Sequence, residues 1–247
     1  MKDGEKMANG LSSAAVKEYG INAGASVVGI AAAETFVSAP EGFHPSDAME
    51  NCRSVIVLGC PVPQEAILAD DTVGFIDIRN AVNKKVTGIA NDLEKWLKGQ
   101  KYKAKSVSGM SGKWVERDGK KVQVGPISLK HAAELAGLGV IGRNYLLTNP
   151  KYGNLLWFSA ILTNAELAPD KKIEYNFCDG CNICVEACPA GALDDYLFPV
   201  RRGLPTFARK KCEETMFKMV DKKWEIMCFN CRKACPHRFG IETFTRG

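Results

Sequence analysis

The stretch that decides the architecture is Cys178-Asp-Gly-Cys181-Asn-Ile-Cys184-Val-Glu-Ala-Cys188-Pro189. Its spacing is that of bacterial ferredoxins, in which three thiolates bind one [4Fe-4S] cluster and the fourth thiolate reaches a second cluster. The short spacers allow one tight loop to aim three sulfur atoms and nearby backbone N–H groups at a small cubane. We therefore expect iron–sulfur chemistry in this part of the chain.

A second, incomplete copy of the pattern follows at Cys228-x2-Cys231-x3-Cys235-Pro236. Glu225 stands where its first cysteine would be, and Cys212 is the other cysteine of this region that could replace it. Two-cluster ferredoxins exchange their fourth ligands, and the same exchange here uses all eight cysteines. The predicted ligand sets are Cys178, Cys181, Cys184 and Cys235 for one cluster, and Cys188, Cys212, Cys228 and Cys231 for the other.

Three alternatives compete with two clusters. Structural zinc uses pairs of Cys-x2-Cys and has no need of a triple run closed by proline. A disulfide framework is expected in secreted chains rather than in a reducing compartment. A single cluster, with Cys212 as an ordinary core thiol, stays open. Cys52 and Cys60 flank an apolar strand, and we interpret them as small buried hydrophobic residues.

The composition indicates a globular chain, and its patterns give no reason to expect secretion or membrane insertion. The 247 residues include 10 cysteines and carry a formal net charge of +5. No apolar run reaches the roughly 18 residues of a membrane helix, so we expect a cytoplasmic protein with no membrane partner. The basic runs 101–105, 113–121 and 201–211 are interpreted as solvated faces. Nucleic acid is therefore not expected as a partner.

Hydrophobic periodicity predicts mixed secondary structure before the cysteines. The predicted helices are 11–19, 79–97 and 127–136; the predicted strands are 26–30, 54–58 and 154–163, with a hairpin of 114–116 and 122–124 around Asp118-Gly119. Composition changes at 168–172. We predict an α+β protein with an N-terminal α/β domain at 1–170 and a ferredoxin-like domain for two [4Fe-4S] clusters at 171–247.

The sequence Gly137-x-Gly139-x-x-Gly142 matches a dinucleotide-binding fingerprint on paper. That motif must follow a strand and open a helix, whereas here it follows a predicted helix. Gly137 fits better as the glycine that ends the helix.

Several motifs in a fixed order resemble epoxyqueuosine reductases. They are Ser54-Val-Ile-Val-Leu-Gly59, Val122-Gln-Val-Gly125, Ala133-Glu-Leu-Ala-Gly-Leu-Gly139, Ile141-Gly-Arg-Asn144, Leu147-Thr-Asn-Pro-Lys-Tyr-Gly153 and Leu162-Thr-Asn164, followed by the cysteine run. The resemblance covers roughly residues 11–240. It implies a cobalamin between a nitroreductase-like N-terminal domain and a two-cluster ferredoxin domain, an arrangement that reductive dehalogenases share.

The resemblance also suggests cofactor-binding positions. Gly139, Gly142, Arg143, Asn144 and Gly153 are candidates for contact with a corrinoid ring or its phosphate, because glycines permit close approach of the backbone. An imidazole ligand to cobalt has three candidates, His44, His131 and His237, of which His131 lies nearest the glycine-rich loop.

Two departures separate the chain from the family pattern. Gln123 stands where the family carries its proton-donating aspartate, and an amide cannot act as that acid. No catalytic residue is therefore assigned. The sequence ends at Gly247, whereas the family's enzymes continue into a helical-repeat domain that holds tRNA.

The leading hypothesis is an iron–sulfur oxidoreductase that passes electrons from a low-potential donor through two [4Fe-4S] clusters to a bound corrinoid. Its substrate would be a small molecule or a corrinoid held by another protein. A second hypothesis is an electron-transfer protein that activates a separate corrinoid protein or enzyme. A flavin in place of the corrinoid, and reduction of epoxyqueuosine in tRNA, are further alternatives.

Overall fold

The architecture is mixed α and β, as predicted. The computed structural model describes residues 11–69, 71–109, 112–117, 120–174, 177–178, 180–193, 208–220, 223–226 and 228–240. The helices are α1 (Ser13–Asn22), α2 (Pro45–Ala48), α3 (Gln64–Leu68), α4 (Thr72–Gly99), α5 (Leu129–Leu135), α6 (Ile183–Glu186), α7 (Arg209–Met216) and α8 (Asn230–Ala234). The strands are β1 (Val27–Ala32), β2 (Ser54–Pro61), β3 (Ala104–Ser108), β4 (Lys113–Arg117), β5 (Lys120–Val124), β6 (Val140–Ile141), β7 (Leu147–Thr148), β8 (Leu156–Thr163), β9 (Phe217–Val220) and β10 (Lys223–Ile226).

A four-stranded antiparallel sheet in the order β1-β2-β8-β3 forms the centre of the fold. Strand β2 is buried along almost its whole length because both faces of the sheet are covered. Val55 and Val57 face the layer that contains α5. Ile56 and Leu58 face α1 and α4. This alternation follows from the two-residue period of a strand, and it explains why the strand reads as a continuous apolar run.

Helix α4 is longer than the predicted 79–97 because its cap lies earlier in the chain. Asp71 precedes the helix, and its Oδ1 accepts a hydrogen bond of 3.1 Å from the backbone N–H of Val73. An aspartate at this position satisfies one of the unpaired N–H groups of a first helical turn. The apolar stripe that packs on the sheet includes Val86, Leu93 and Leu97.

Helix α5 ends at a glycine, as the sequence predicted. Gly137 has a φ of +70°, which favours glycine. The N–H of Leu138 bonds to the carbonyl of Ala133 at 2.9 Å, in the manner of a Schellman cap. A β-carbon at Gly137 would also collide with the carbonyl of Lys171. Gly137 therefore ends helix α5 and leaves room for the segment that contains Lys171. Because the glycines follow a helix rather than a strand, the dinucleotide-binding interpretation is excluded.

The segment after β8 returns to the sheet edge. The backbone N–H of Asp170 donates to the carbonyl of Ile30 at 2.8 Å, and its carboxylate accepts from the N–H of Ile30 at 2.9 Å. Lys17 of α1 pairs with the same carboxylate. The predicted domain boundary at residue 170 thus lies in a segment bonded to β1, and the division itself remains a prediction.

A third apolar cluster lies where the segment after Cys228 meets the sheet layer. Its members are Val62, Ala66, Ile67, Phe75 and Leu155, with Val82, Trp157, Phe229 and Phe239 packed around them. Phe75 of α4 stacks on Phe229 with ring centroids 4.6 Å apart. The cysteine-bearing helix α8 is therefore attached to the rest of the protein by apolar contact.

No helix of the described ranges is long and apolar enough to cross a bilayer.

Replacing a fully buried side chain of α4 tests the packing of this layer. Leu93 has no exposed surface, and we expect Leu93→Ala to lower the free energy of unfolding by about 2–5 kcal/mol. Denaturant unfolding followed by circular dichroism measures the change. Lys95→Ala on the exposed face of the same helix is the control, and equal stability of the two variants would contradict the packing.

Candidate iron–sulfur site

The first predicted set of four cysteines surrounds one pocket. Cys178, Cys181, Cys184 and Cys235 line it together with Asn144, Phe177, Pro236 and His237. Three of the thiols come from one turn and α6, and the fourth comes from the end of α8. The turn is closed by a hydrogen bond of 3.1 Å from the N–H of Cys181 to the carbonyl of Cys178. The spacing thus places its sulfurs as predicted.

The thiols of this set lie close enough to affect one another's ionisation. Burial first, and then the neighbouring thiols of Cys178 and Cys235, raise the pKa of Cys184 to about 12. Burial likewise raises the pKa of Cys235 to about 11, with Cys178 adding to the effect. Four such groups become thiolates together only when a positive centre compensates their charge, and iron bound as a cluster supplies that charge.

The second predicted set is also brought together. Burial and then the thiols of Cys231, Cys188 and Cys228 raise the pKa of Cys212 to about 11. Burial raises the pKa of Cys231, and the neighbouring thiols of Cys228 and Cys188 add to this effect. Cys212, selected from the sequence because a ligand was missing, therefore lies within electrostatic range of the three thiols with which it was grouped. Binding of iron by either set remains a prediction.

Backbone donors point at sulfur in both sets. The N–H of Arg143 lies 3.4 Å from the Sγ atom of Cys178, and the N–H of Ala192 lies 3.4 Å from the Sγ atom of Cys188. Hydrogen bonds to cysteine sulfur stabilise the charge of a cluster and influence its reduction potential. The thiol sets and their donors therefore fit [4Fe-4S] clusters.

The glycines proposed for corrinoid contact approach the protein's own chain. A β-carbon at Gly139 would collide with the carbonyl of Thr148, and one at Gly153 would collide with that of Arg238. At Gly142 it would lie 3.1 Å from the ring of Phe177 and 3.2 Å from the Sγ atom of Cys178. The close approaches that require glycine are thus explained by internal packing, and contact with a corrinoid remains a prediction.

Arg143 and Asn144 lie beside the cysteines. The Arg143 guanidinium contacts the side-chain oxygen of Asn182, and its Nη1 lies 3.5 Å from the carbonyl of Cys181. The Asn144 amide donates to the carbonyl of Cys231 at 3.3 Å. One loop therefore contacts both sets of cysteines.

The three histidines occupy different settings. His44 caps α2, and Nδ1 of His131 lies 2.8 Å from the hydroxyl of Ser128. His237 lines the first cysteine pocket and meets the ring of Phe177 edge-on. Burial lowers the pKa of His237. The sequence favoured His131 as the imidazole ligand because it lies nearest the glycine-rich loop. The order Cys235-Pro236-His237, however, already places His237 two residues after a predicted cluster ligand.

Sequence reasoning also missed Arg232, which lies between Cys231 and Cys235 on α8. Its side chain is 9% exposed, and its guanidinium carbon lies 4.5 Å from the centroid of the Trp157 ring. Burial lowers the pKa of Arg232 to about 10, while the thiol of Cys231 acts in the opposite direction. A pattern of hydrophobic periodicity carries no information on such a charge, because arginine is ordinarily exposed.

Comparison with known proteins agrees with the cysteine spacing. The model of the 4Fe-4S binding domain matches residues 171–194. Epoxyqueuosine reductase of Bacillus subtilis is 29% identical over 126 residues, which are 47% of this chain and 30% of the relative. Epoxyqueuosine reductase of Lactococcus garvieae is 22% identical over 225 residues, which are 82% of this chain and 57% of the relative. The chain thus spans between about a third and somewhat over half of these relatives.

Solved structures share the fold. An epoxyqueuosine reductase in complex with an epoxyqueuosine-modified tRNA stem loop superposes with a TM-score of 0.57 at 20% identity, over 90% of this chain and 64% of that one. A catabolic reductive dehalogenase superposes with a TM-score of 0.70 at 22% identity, over 92% of this chain and 32% of that one. The predicted relationship to epoxyqueuosine reductases, which are oxidoreductases, is confirmed.

The same relatives correct two predictions. The leading hypothesis, which took a small molecule or another protein's cofactor as the final electron acceptor, is wrong: the curated relatives are named for epoxyqueuosine reduction, and this favours the tRNA alternative. The expectation that nucleic acid is not a partner is also wrong, given the neighbour bound to a tRNA stem loop. The net charge misled because it averages local basic runs over the whole chain.

Removing Cys212 distinguishes two clusters from one. We expect Cys212→Ala to reduce the iron content from about eight to about four atoms per chain, because one cubane loses a ligand. Iron and sulfide analysis after anaerobic purification measures the content. Cys60→Ala, which alters a buried cysteine outside both sets, is the control and should keep about eight iron atoms. About four iron atoms in both the unaltered protein and Cys212→Ala would support the single-cluster alternative, and about eight in both would exclude Cys212 as a ligand.

Proposed function

We propose that this protein is an iron–sulfur oxidoreductase that reduces the epoxide of epoxyqueuosine in tRNA. The observation that carries the proposal is the presence of two groups of four cysteines beside one loop of a fold shared with epoxyqueuosine reductases. Two [4Fe-4S] clusters, and the ferredoxin-like and nitroreductase-like domains predicted around residue 170, belong to the same proposal. A reductase of tRNA would work in the cytoplasm.

The chemistry explains why two clusters are useful. Breaking a carbon–oxygen bond of an epoxide by reduction consumes two electrons, and the released oxygen takes up protons. A [4Fe-4S] cluster exchanges one electron at a time, so two clusters in series can relay the electrons of a low-potential donor.

We propose a corrinoid as the redox cofactor that receives these electrons. Support comes from the shared fold with a reductive dehalogenase whose structure suggests a mechanism for B12-dependent dehalogenation, at a TM-score of 0.69. When bound, a corrinoid supplies a low-potential metal centre close to the substrate. The protein's own part is to hold the loop of residues 139–153 against the cysteines, and Arg143 and Asn144 make those contacts.

Nucleoside analysis tests the proposed reaction. Anaerobically reconstituted protein would be incubated with cobalamin, dithionite and tRNA that carries epoxyqueuosine, and the digested nucleosides would be separated by mass spectrometry. We expect loss of the epoxide nucleoside, and no loss with Cys181→Ala, which removes a predicted ligand. A protein that holds about eight iron atoms and leaves the epoxide intact would contradict the proposal.

Replacing Gln123 tests the departure from the family pattern. Gln123 lies in the β4–β5 hairpin, where its backbone pairs with Trp114. A carboxylic acid donates a proton that an amide cannot, and general acid catalysis contributes about 10²–10⁴-fold. We expect Gln123→Asp to raise the rate of epoxide reduction several-fold or more, with greater activity at lower pH. Gln123→Asn is the matched control, and equal rates for the two variants would show that the position does not supply the proton.

A further inference from the structure

We propose that the guanidinium of Arg232 is a fixed counter-ion for the clusters and raises the reduction potential of the one that Cys231 binds. The inference rests on the two-cluster part of the proposed function. It assigns to a residue of this chain a role in setting the driving force of electron transfer, and it is independent of the substrate.

The position of Arg232 is fixed by contacts on two sides. Its side chain lies over the ring of Trp157, which belongs to β8 of the central sheet. The carbonyl of Arg232 accepts a hydrogen bond of 3.1 Å from the side-chain amide of Asn154. Helix α8 therefore presents the guanidinium toward the interior rather than to solvent, and the side chain is only 9% exposed.

The surroundings of Arg232 lack the usual partner of a buried arginine. Among the ion pairs of the described residues, none joins Arg232 to a carboxylate. Within the same part of the chain, its Nη1 atom has no hydrogen-bond partner. Burial lowers the pKa of Arg232, and the guanidinium of Arg79 lowers it further. The thiols of Cys231 and Cys235 act in the opposite direction.

Burying a cation without a compensating anion costs free energy. A negatively charged group near Arg232 would offset this cost. Arg232 directly follows Cys231 on α8 and lies three residues before Cys235, and these two cysteines belong to different predicted sets, so Arg232 stands next to ligands of both clusters. A [4Fe-4S]²⁺ cluster held by four thiolates has a net charge of −2, and it reaches −3 when it accepts one electron from a low-potential donor such as dithionite.

The effect of Arg232 on the potential follows from this added charge. In a low-dielectric site the attraction between opposite charges is much stronger than in water. The guanidinium therefore stabilises the reduced cluster more than the oxidised cluster. The larger effect is expected at the cluster held by Cys231, because Cys231 is the residue directly before Arg232 on α8.

Redox titration followed by electron paramagnetic resonance tests the proposal on the full chain. Arg232→Met removes the charge and keeps a long apolar side chain, and we expect the midpoint potential of one cluster to become more negative. Arg232→Lys retains the charge and should restore most of the potential. Unchanged potentials in Arg232→Met, with about eight iron atoms bound, would overturn the proposal.

Arg79→Met is the matched control, because Arg79 lies over the same tryptophan at 5.8 Å from the ring centroid. It should shift the potential less than Arg232→Met does, and an equal shift would show a general charge effect that overturns the assignment to Arg232. If Arg232→Met loses a cluster while Arg232→Lys retains both, the positive charge is needed to hold the anionic cluster, as proposed. Loss of a cluster from both Arg232→Met and Arg232→Lys would show that Arg232 acts by packing, and it would overturn the proposed counter-ion role.

Failure of this proposal is distinguishable from failure of the proposed function. The potentials are measured without tRNA or a corrinoid, so an unchanged potential leaves the reaction on tRNA unaffected. If Arg232→Met shifts the midpoint potential but the unaltered protein leaves the epoxide intact, only the proposed activity is contradicted. Fewer than about eight iron atoms in the unaltered protein would contradict the two-cluster proposal itself.

Discussion

The constraint on which the rest of the structure depends is that eight thiols must gather in two groups although they are distributed over 58 positions of the chain, from Cys178 to Cys235. The predicted exchange of fourth ligands places Cys235 with the early cysteines and Cys188 with the late ones. Each group therefore needs both halves of the region to be in place. Mutual repulsion among the thiolates would oppose this arrangement, and the iron of the proposed clusters would offset it.

The sheet layer contributes to this arrangement through one loop and one apolar contact. Asn144 bonds to the carbonyl of Cys231, and the N–H of Arg143 points at the sulfur of Cys178. Asn154 bonds to the carbonyl of Arg232, so β8 positions the helix on which two cysteines lie. The N-terminal layers therefore support the cysteine region directly, and the segment near residue 170 is bonded to β1 rather than free of it.

The proposed function differs from the hypothesis drawn from composition in its partner, which is a nucleic acid. A net charge of +5 suggested no nucleic-acid partner because basic runs and acidic residues cancel in the sum. A charge summed over the whole chain does not describe a local surface. Gln123 differs from the aspartate that the resemblance to epoxyqueuosine reductases implies at this position.

The sequence by itself determined the features that depend on neighbouring residues. Cysteine spacing indicated the clusters, the apolar run 54–58 indicated the strand that became β2, and Gly137 marked the end of a helix. Only the tertiary structure decided what depends on distant segments: that Gly153 admits the backbone near Arg238, that His237 lines a cysteine pocket, and that Arg232 is buried against Trp157. Local patterns encode backbone geometry and the face a residue takes, whereas the environment of a buried charge is set by the elements that fold onto it.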